Sequence, residues 1–322
     1  MRCVLIENPG PLSRLVISEQ EEPACKSEEL LVQVRATALN RADLFQRQGF
    51  YPPPAGASVI PGLEIAGEVI TTGTEVTRFA VGDLVYGLVP GGGYAEYCCI
   101  NQNLAQHIPE HWSFLYAAAL PEALMTAHAS IFLLGQLRQG QTLLIHAAGS
   151  GISSLAIQMA KMQGANIIST AGSEEKIAKA SNLGAMTLIN YEKEDIETVL
   201  DEKSIDLIVD FIGGSYFLKH LYLLKTQGKL IQIGAMQGIM SDCNLALVMQ
   251  KRLQIHGFVL RSQPLFEKAA LWESSQQEWA SALLNKSIVP IIDSEFTLDS
   301  IEQAHARMQD RTHFGKIVVR VG

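Results

Sequence analysis

Several signals that would point to a particular function are missing from this sequence. Its five cysteines, Cys3, Cys25, Cys98, Cys99 and Cys243, are scattered through 322 residues, odd in number and without a C-x-x-C. That argues against a disulfide framework and fits reduced thiols in a cytoplasmic protein. The adjacent Cys98 and Cys99 lie in an apolar stretch and read as strand core rather than as a redox centre. Positive charge is scarce: 25 Lys and Arg stand against 33 Asp and Glu, a net charge of −8, which leaves no electrostatic footprint for nucleic acid. By inspection no apolar run approaches the roughly 20 residues that span a bilayer. The start, MRCVLIENPG, lacks the apolar core and cleavage site of a signal peptide. No internal repeat or low-complexity segment interrupts the chain, and at 48% hydrophobic it can bury a sizeable core in two domains.

The chain is organised around residues 142–163, TLLIHAAGSGISSLAIQMAKMQ. An apolar run at 142–147 is short and bounded like a buried parallel strand. Ala147, Ala148, Gly149, Ser150 and Gly151 follow, and then Ile152, Leu155, Ala156, Met159 and Ala160 recur on one helical face. Gly164 stops the helix and a second strand begins at Asn166. Strand, small-residue turn, helix and strand make the first half of a dinucleotide-binding fold. Small side chains let backbone approach a pyrophosphate, and the helix N-terminus offers free N–H groups. The G-x-G-x-x-G register falls degenerately on Ala148, Ser150 and Ser153, with Gly151 extra, so the alternating context carries the reading rather than the glycines.

Residues 1–100 read as short strands at 1–6, 15–18, 29–38, 63–71, 84–88 and 94–100, with one helix at 40–48, suggesting a Greek-key or partly open barrel. Helices are expected at 113–120 and 123–134, on either side of Pro121. Strands at 142–147, 166–170, 186–190, 205–211, 229–234 and 253–260 then alternate with helices at 152–162, 174–182, 194–201, 215–224 and 245–251. Six strands with five crossovers give an α/β fold, a doubly wound parallel sheet. A long helix at 264–285, a strand near 296–298, a helix at 299–309 and a strand at 316–321 complete the chain, and this last piece is too small to fold alone. The expected division is a β-rich catalytic domain of residues 1–119 and 262–322 around a nucleotide-binding domain of residues 120–261.

The second strand of the α/β part ends in Ala171 and Gly172, neutral where an NAD site wants an acid for the ribose hydroxyl. Ser173 can donate to a 2′-phosphate and Lys176 supplies charge one turn on, which favours NADPH. Ser173 also suits a helix N-cap, with Glu174 and Glu175 at the dipole end, and the two roles are compatible. Tyr191, after the third strand, flanks the adenosine phosphate end or is a surface aromatic. Ligands of open α/β sheets bind beyond such strand ends, so Gly234, Ala235 and Met236 offer backbone to a nicotinamide. Phe258 and Leu260, at the end of the last strand, complete the expected cofactor-binding set.

The motifs Asn40-Arg41-Ala42-Asp43, Tyr51-Pro52-Pro53-Pro54, Gly62-Leu63-Glu64, Pro121-Glu122-Ala123, Leu183-Gly184-Ala185 and Phe314-Gly315-Lys316 resemble the medium-chain dehydrogenase/reductases from end to end. The resemblance is closest to their zinc-free quinone oxidoreductases, the zeta-crystallin and stress-inducible quinone reductase group. It implies a GroES-like catalytic domain, a Rossmann domain for NADPH, and a homodimer or homotetramer. It places Asn40, Tyr51 and Thr126 in the nicotinamide and substrate cleft, with Ala148, Gly149, Ser150, Gly151 and Ile152 under the pyrophosphate. Ser173, Lys176 and Tyr191 fall around the 2′-phosphate. Ser153 departs from the family's glycine.

Leu63 stands where zinc-dependent members carry a histidine, their cysteine cluster is missing, and the eight histidines show no ligand spacing, so no metal is expected. Arg41 and Asp43 read as an ion pair or helix cap. The implied chemistry is hydride transfer to a quinone or α,β-unsaturated carbonyl, with no membrane partner. Rivals are an enoyl-thioester reductase and an NADPH-binding, crystallin-like protein with little turnover.

Overall fold

A computed structural model describes all residues, Met1–Gly322. It divides into two compact units. The first comprises Met1–Ala123, Arg261–Leu284 and Pro290–Gly322, and the second Leu124–Leu260 and Asn285–Val289.

The second unit is built on six parallel strands in the spatial order Thr187–Asn190, Asn166–Ala171, Thr142–Ile145, Ile205–Asp210, Leu224–Gln232, Gln254–Gly257. Because all six run the same way, their C-terminal ends share one edge. Leu144, Ile168, Ile189, Ile205, Ile208 and Leu230 fill a continuous buried cluster. Burying that aliphatic layer contributes about 1.5–3 kcal/mol per side chain. The last strand is shorter than the expected 253–260. Its neighbour's register stops at Gln232 opposite Gly257, and beyond it only Phe258 N–H still reaches that strand, donating to Gln232 O at 2.9 Å. The helix expected at 194–201 is a single turn, Ile196–Val199, capped by Asp195 and ended by an extended Leu200.

The first unit holds a seven-stranded sheet organised on the ten-residue strand Glu29–Ala38. One edge of that strand pairs with Glu64–Thr72. The other is shared by Tyr97–Asn101 along its first half and Lys316–Arg320 along its second. Ala38, Ala119 and Val318 pack there. The 20-residue helix Leu265–Leu284 is unbroken and buries Leu271, Trp272 and Trp279.

One reading of the sequence is corrected. Residues 114–134 form a helical stretch of 21 residues, mean hydropathy 1.4, long and apolar enough to cross a membrane, although 78% of its apolar window is buried inside the fold. The polar side chains of Glu122, Thr126 and His128 break the run by eye but not in the average. It is divided at Leu120, because a residue before proline is pushed out of the helical region. Phe114–Ala118 therefore precedes Pro121–Ala127 and a wider π-type turn over His128–Leu134.

Candidate active site

In the second unit, the strand Thr142–Ile145 runs into the helix Gly151–Met162 through a turn in which Ala147 has φ 54°. Ser150 caps the helix, accepting from Ser153 N–H at 3.0 Å. Gly151 and Ile152, the first two helical residues, have no acceptor within the helix, as in any helix first turn. They are the donors that a pyrophosphate would take up. Ala148 contributes only its small side chain, since its N–H is bonded to Thr170 O at 2.9 Å. Ser153 is fully buried, and its hydroxyl donates to His146 O at 2.8 Å. The serine in place of glycine thus ties the helix back to the strand.

Beyond the second strand, Gly172 lies under Tyr191: a Cβ there would stand 2.6 Å from the phenolic oxygen. Ser173 caps the helix Glu174–Leu183 by accepting from Lys176 N–H at 3.3 Å. The acid beside it is neutralised, Glu174 lying 2.8 Å from Lys193 Nζ and accepting from Asn190 at 2.7 Å. Those contacts hold the Glu174 carboxyl below the usual range. Ser173, Lys176 and Tyr191 are thereby gathered at the end of the second and third strands. Gly234 and Met236 pack on Phe211, with Met236 N–H donating to Phe211 O at 3.1 Å. Phe258 N–H is bonded to Gln232 O, and Leu260 is buried.

Sequence spacing misses what lies beneath these turns. His146, Asp210 and His220, separated along the chain, place ligand atoms within 4.8 Å of one another, all buried. The two Nε2 atoms are 2.8 Å apart, so one proton sits between them. His146 Nδ1 is 3.0 Å from Thr170 Oγ1, and His220 Nδ1 is 3.4 Å from Asp210. Burial and the neighbouring His220 lower His146 to about 3, so His146 is neutral at physiological pH. Burial opposes ionisation of Asp210, but His220, His146 and backbone N–H groups outweigh it and hold the carboxyl at about 2.

In the first unit, the helix Arg41–Arg47 begins at Asn40, whose N–H donates to Asp43 Oδ2 at 2.7 Å. Asp43 is therefore the N3 carboxylate of a capping box on Asn40, and Arg41 is not its partner but donates to Met308 O at 3.1 Å. Burial pushes Asp43 up to about 6 despite donors from Asn40, Tyr94 and Gly62. Glu64, fully buried, accepts from Asn40 Nδ2 at 2.8 Å, from Glu122 N–H at 2.9 Å and from Lys316 Nζ at 2.5 Å. Lys316 also donates to Asn40 Oδ1 at 2.8 Å and Leu39 O at 3.0 Å. Both ends of the Asn40 amide are thus engaged within this unit.

Beside this network, Arg261 Cζ stands 5.3 Å above the Tyr51 ring, covering one face. Burial and Glu122 raise the Tyr51 phenol to about 12, so it remains a donor. Burial and Glu64 push Glu122 up to about 8. Thr126, in the second unit, is buried and its carbonyl accepts from Ser130 Oγ at 2.7 Å. Arg261, Glu122, Lys268 and Lys316 were not singled out from sequence as site residues. Two of them lie in quoted motifs, and the other two carry no local signal.

Comparison with known proteins agrees with this architecture. The alcohol dehydrogenase GroES-like domain matches residues 26–110, and the domain described as zinc-binding dehydrogenase matches residues 151–275. A quinone oxidoreductase of Pseudomonas aeruginosa is 31% identical over 300 residues, 90% of each chain. The chain belongs to the medium-chain dehydrogenase/reductase superfamily. Within it, the synaptic vesicle membrane protein VAT-1 homolog of Danio rerio is 32% identical over 336 residues, 99% of this chain and 69% of the relative. The solved quinone oxidoreductase of Thermus thermophilus, described with its NADPH complex, superposes with TM-score 0.83 at 28% identity, covering 99% of this chain and all of that one.

Zinc does not fit the position where the superfamily's metal-dependent members bind it. Leu63 has no lone pair and is 1% exposed, and the neighbouring Glu64 is already neutralised by the Lys316 ammonium. A nicotinamide dinucleotide does fit the second unit, whose first-turn N–H groups and small-residue turn form the cradle it requires.

Proposed function

We propose that the chain is an NADPH-dependent, metal-independent reductase of quinones and related α,β-unsaturated carbonyl compounds. The observation that carries the cofactor choice is the neutral strand end at Ala171 and Gly172 with Ser173, Lys176 and Tyr191 gathered around it. The relatives named quinone oxidoreductase support the acceptor class.

When bound, NADPH supplies a hydride. Gly151 and Ile152 donate backbone N–H to its pyrophosphate, and Ser173, Lys176 and Tyr191 hold the 2′-phosphate. Gly234, Ala235 and Met236, with Phe258 and Leu260, line the nicotinamide end. In the first unit, Asn40 keeps Glu64 and Lys316 in place, and the Tyr51 phenol remains protonated as a hydrogen-bond donor. With no Lewis acid at Leu63, the acceptor must already be electron-poor.

A panel of 1,2- and 1,4-quinones, enals and enoyl-coenzyme A, each with NADPH and with NADH, tests the reading. The expected result is NADPH-dependent reduction of quinones or enals that survives dialysis against a strong chelator. Activity lost with stoichiometric zinc would overturn it, and turnover restricted to enoyl-coenzyme A would assign an enoyl-thioester reductase. A second reading is NADPH binding with little turnover, kept because the VAT-1 homolog, 32% identical, bears a name that states no enzyme activity. Cofactor affinity without activity anywhere in the panel would select it.

A further inference from the structure

Arg261 is 5% exposed, and its guanidinium is only partly used by the protein. Nε donates to Pro90 O at 2.9 Å and Nη1 makes a long contact of 3.4 Å with Tyr51 O, while Nη2 is buried without any partner. No carboxylate stands within ion-pair distance of it. Lys268, 8% exposed, adds a second positive group, its Nζ 3.5 Å from Arg261 O. Buried donors left unmade are rare and costly, and an orphaned one on a charged group marks a place kept for a ligand.

We propose that Arg261 is the oxyanion-binding residue of the acceptor site, its Nη2 donating to the carbonyl oxygen of the quinone or enone beside Tyr51. The proposal rests on the reductase reading. When hydride bonds to the β carbon of an enone, the C=C pair moves into the bond between the α carbon and the carbonyl. The C=O π pair then moves onto oxygen. Water protonates the α carbon to give the saturated carbonyl compound, and a quinone ends likewise with its charge on a phenolate oxygen. A preorganised donor aimed at that oxygen stabilises charge as it develops. Glu122, pushed up to about 8, is a neutral carboxyl at pH 7 and leaves Arg261 and Lys268 positive. The cation–π contact with Tyr51, 5.3 Å from Cζ to the ring centroid, holds the guanidinium beside that ring.

The test titrates cofactor-free protein with 4-nitrophenol, whose ionised form absorbs visible light, and runs turnover alongside. The parent is expected to bind the phenolate preferentially, giving a rise in the visible band, and to lose binding when a quinone competes. Arg261→Gln is expected to lower phenolate affinity about tenfold or more. It should lower kcat about a hundredfold while the KM for NADPH stays unchanged. Arg261→Lys, which keeps the charge and loses the fork, should retain an intermediate phenolate affinity, and it decides the matter if thermal unfolding shows Arg261→Gln to be misfolded. Parent-like phenolate affinity in a folded Arg261→Gln or Arg261→Lys overturns the proposal. Absence of turnover in the parent counts against the reductase reading alone, because the phenolate titration decides the role of Arg261 without it.

Discussion

The buried ion pair of Lys316 and Glu64 sets a stability prediction that can be worked from its contacts. Lys316 is 3% exposed and Glu64 fully buried. All three ammonium protons are used, on Glu64 Oε1, Asn40 Oδ1 and Leu39 O. Lys316→Met removes one partner from a buried carboxylate, a change that costs about 3–5 kcal/mol. Glu64 keeps two donors, Asn40 Nδ2 and Glu122 N–H, which places the loss near the lower end, about 3 kcal/mol. Adding Glu64→Gln to Lys316→Met should restore about 2 kcal/mol, since a neutral amide no longer needs the ammonium. Urea unfolding at neutral pH, followed by fluorescence and by circular dichroism to check that the probes coincide, measures both steps. A Lys316→Met protein within about 1 kcal/mol of the parent would refute the reasoning. So would a double variant less stable than Lys316→Met alone.

Lys176→Ala should weaken NADPH by about tenfold or more, one charge-assisted contact being worth roughly 1.5–3 kcal/mol, and leave NADH nearly untouched; equal parent affinities for both cofactors would dismiss the phosphate corner. Tyr51→Phe should keep most of kcat/KM if the ring alone positions the acceptor, whereas a hundredfold fall would show that the phenolic proton is needed. Glu122, raised to about 8, binds a proton in the folded chain that the unfolded chain has released above the ordinary glutamate pKa, so parent stability falls as pH rises through that window. Glu122→Gln should gain on the parent by about 3 kcal/mol between about pH 5 and about pH 9, after allowance for a partly buried group; a difference that does not change with pH would contradict this. The edge strand Gln254–Gly257 pairs on one side only, and Ile255 and Val259 are 39% and 44% exposed beside it. Pairing with the same strand of a second copy should give a dimer that Ile255→Lys dissociates, and a 35.2 kDa monomer at micromolar concentration in light scattering would exclude it.

The periodicity of residues 142–260 was enough to anticipate six parallel strands, because a strand buried on both faces is written as an apolar run and a crossover helix as a 3.6-residue period. The residues proposed for the cofactor's phosphate could be nominated for the same reason: Gly172, Ser173 and Lys176 lie within five residues at a strand end. What stayed hidden depends on contacts between distant parts of the chain. Lys316 meets Glu64 across 252 residues, and Arg261 meets Tyr51 across 210. His146 meets His220 across 74 residues, which is why eight histidines with no ligand spacing still yield a buried pair. Each of these is a polar group carried into the interior, where it persists only with a partner or a ligand. Lys316 has found its partners inside the chain, and the two histidines meet through their Nε2 atoms. Arg261 Nη2 has no partner, so the same rule leaves a charged donor there for the proposed ligand to take up.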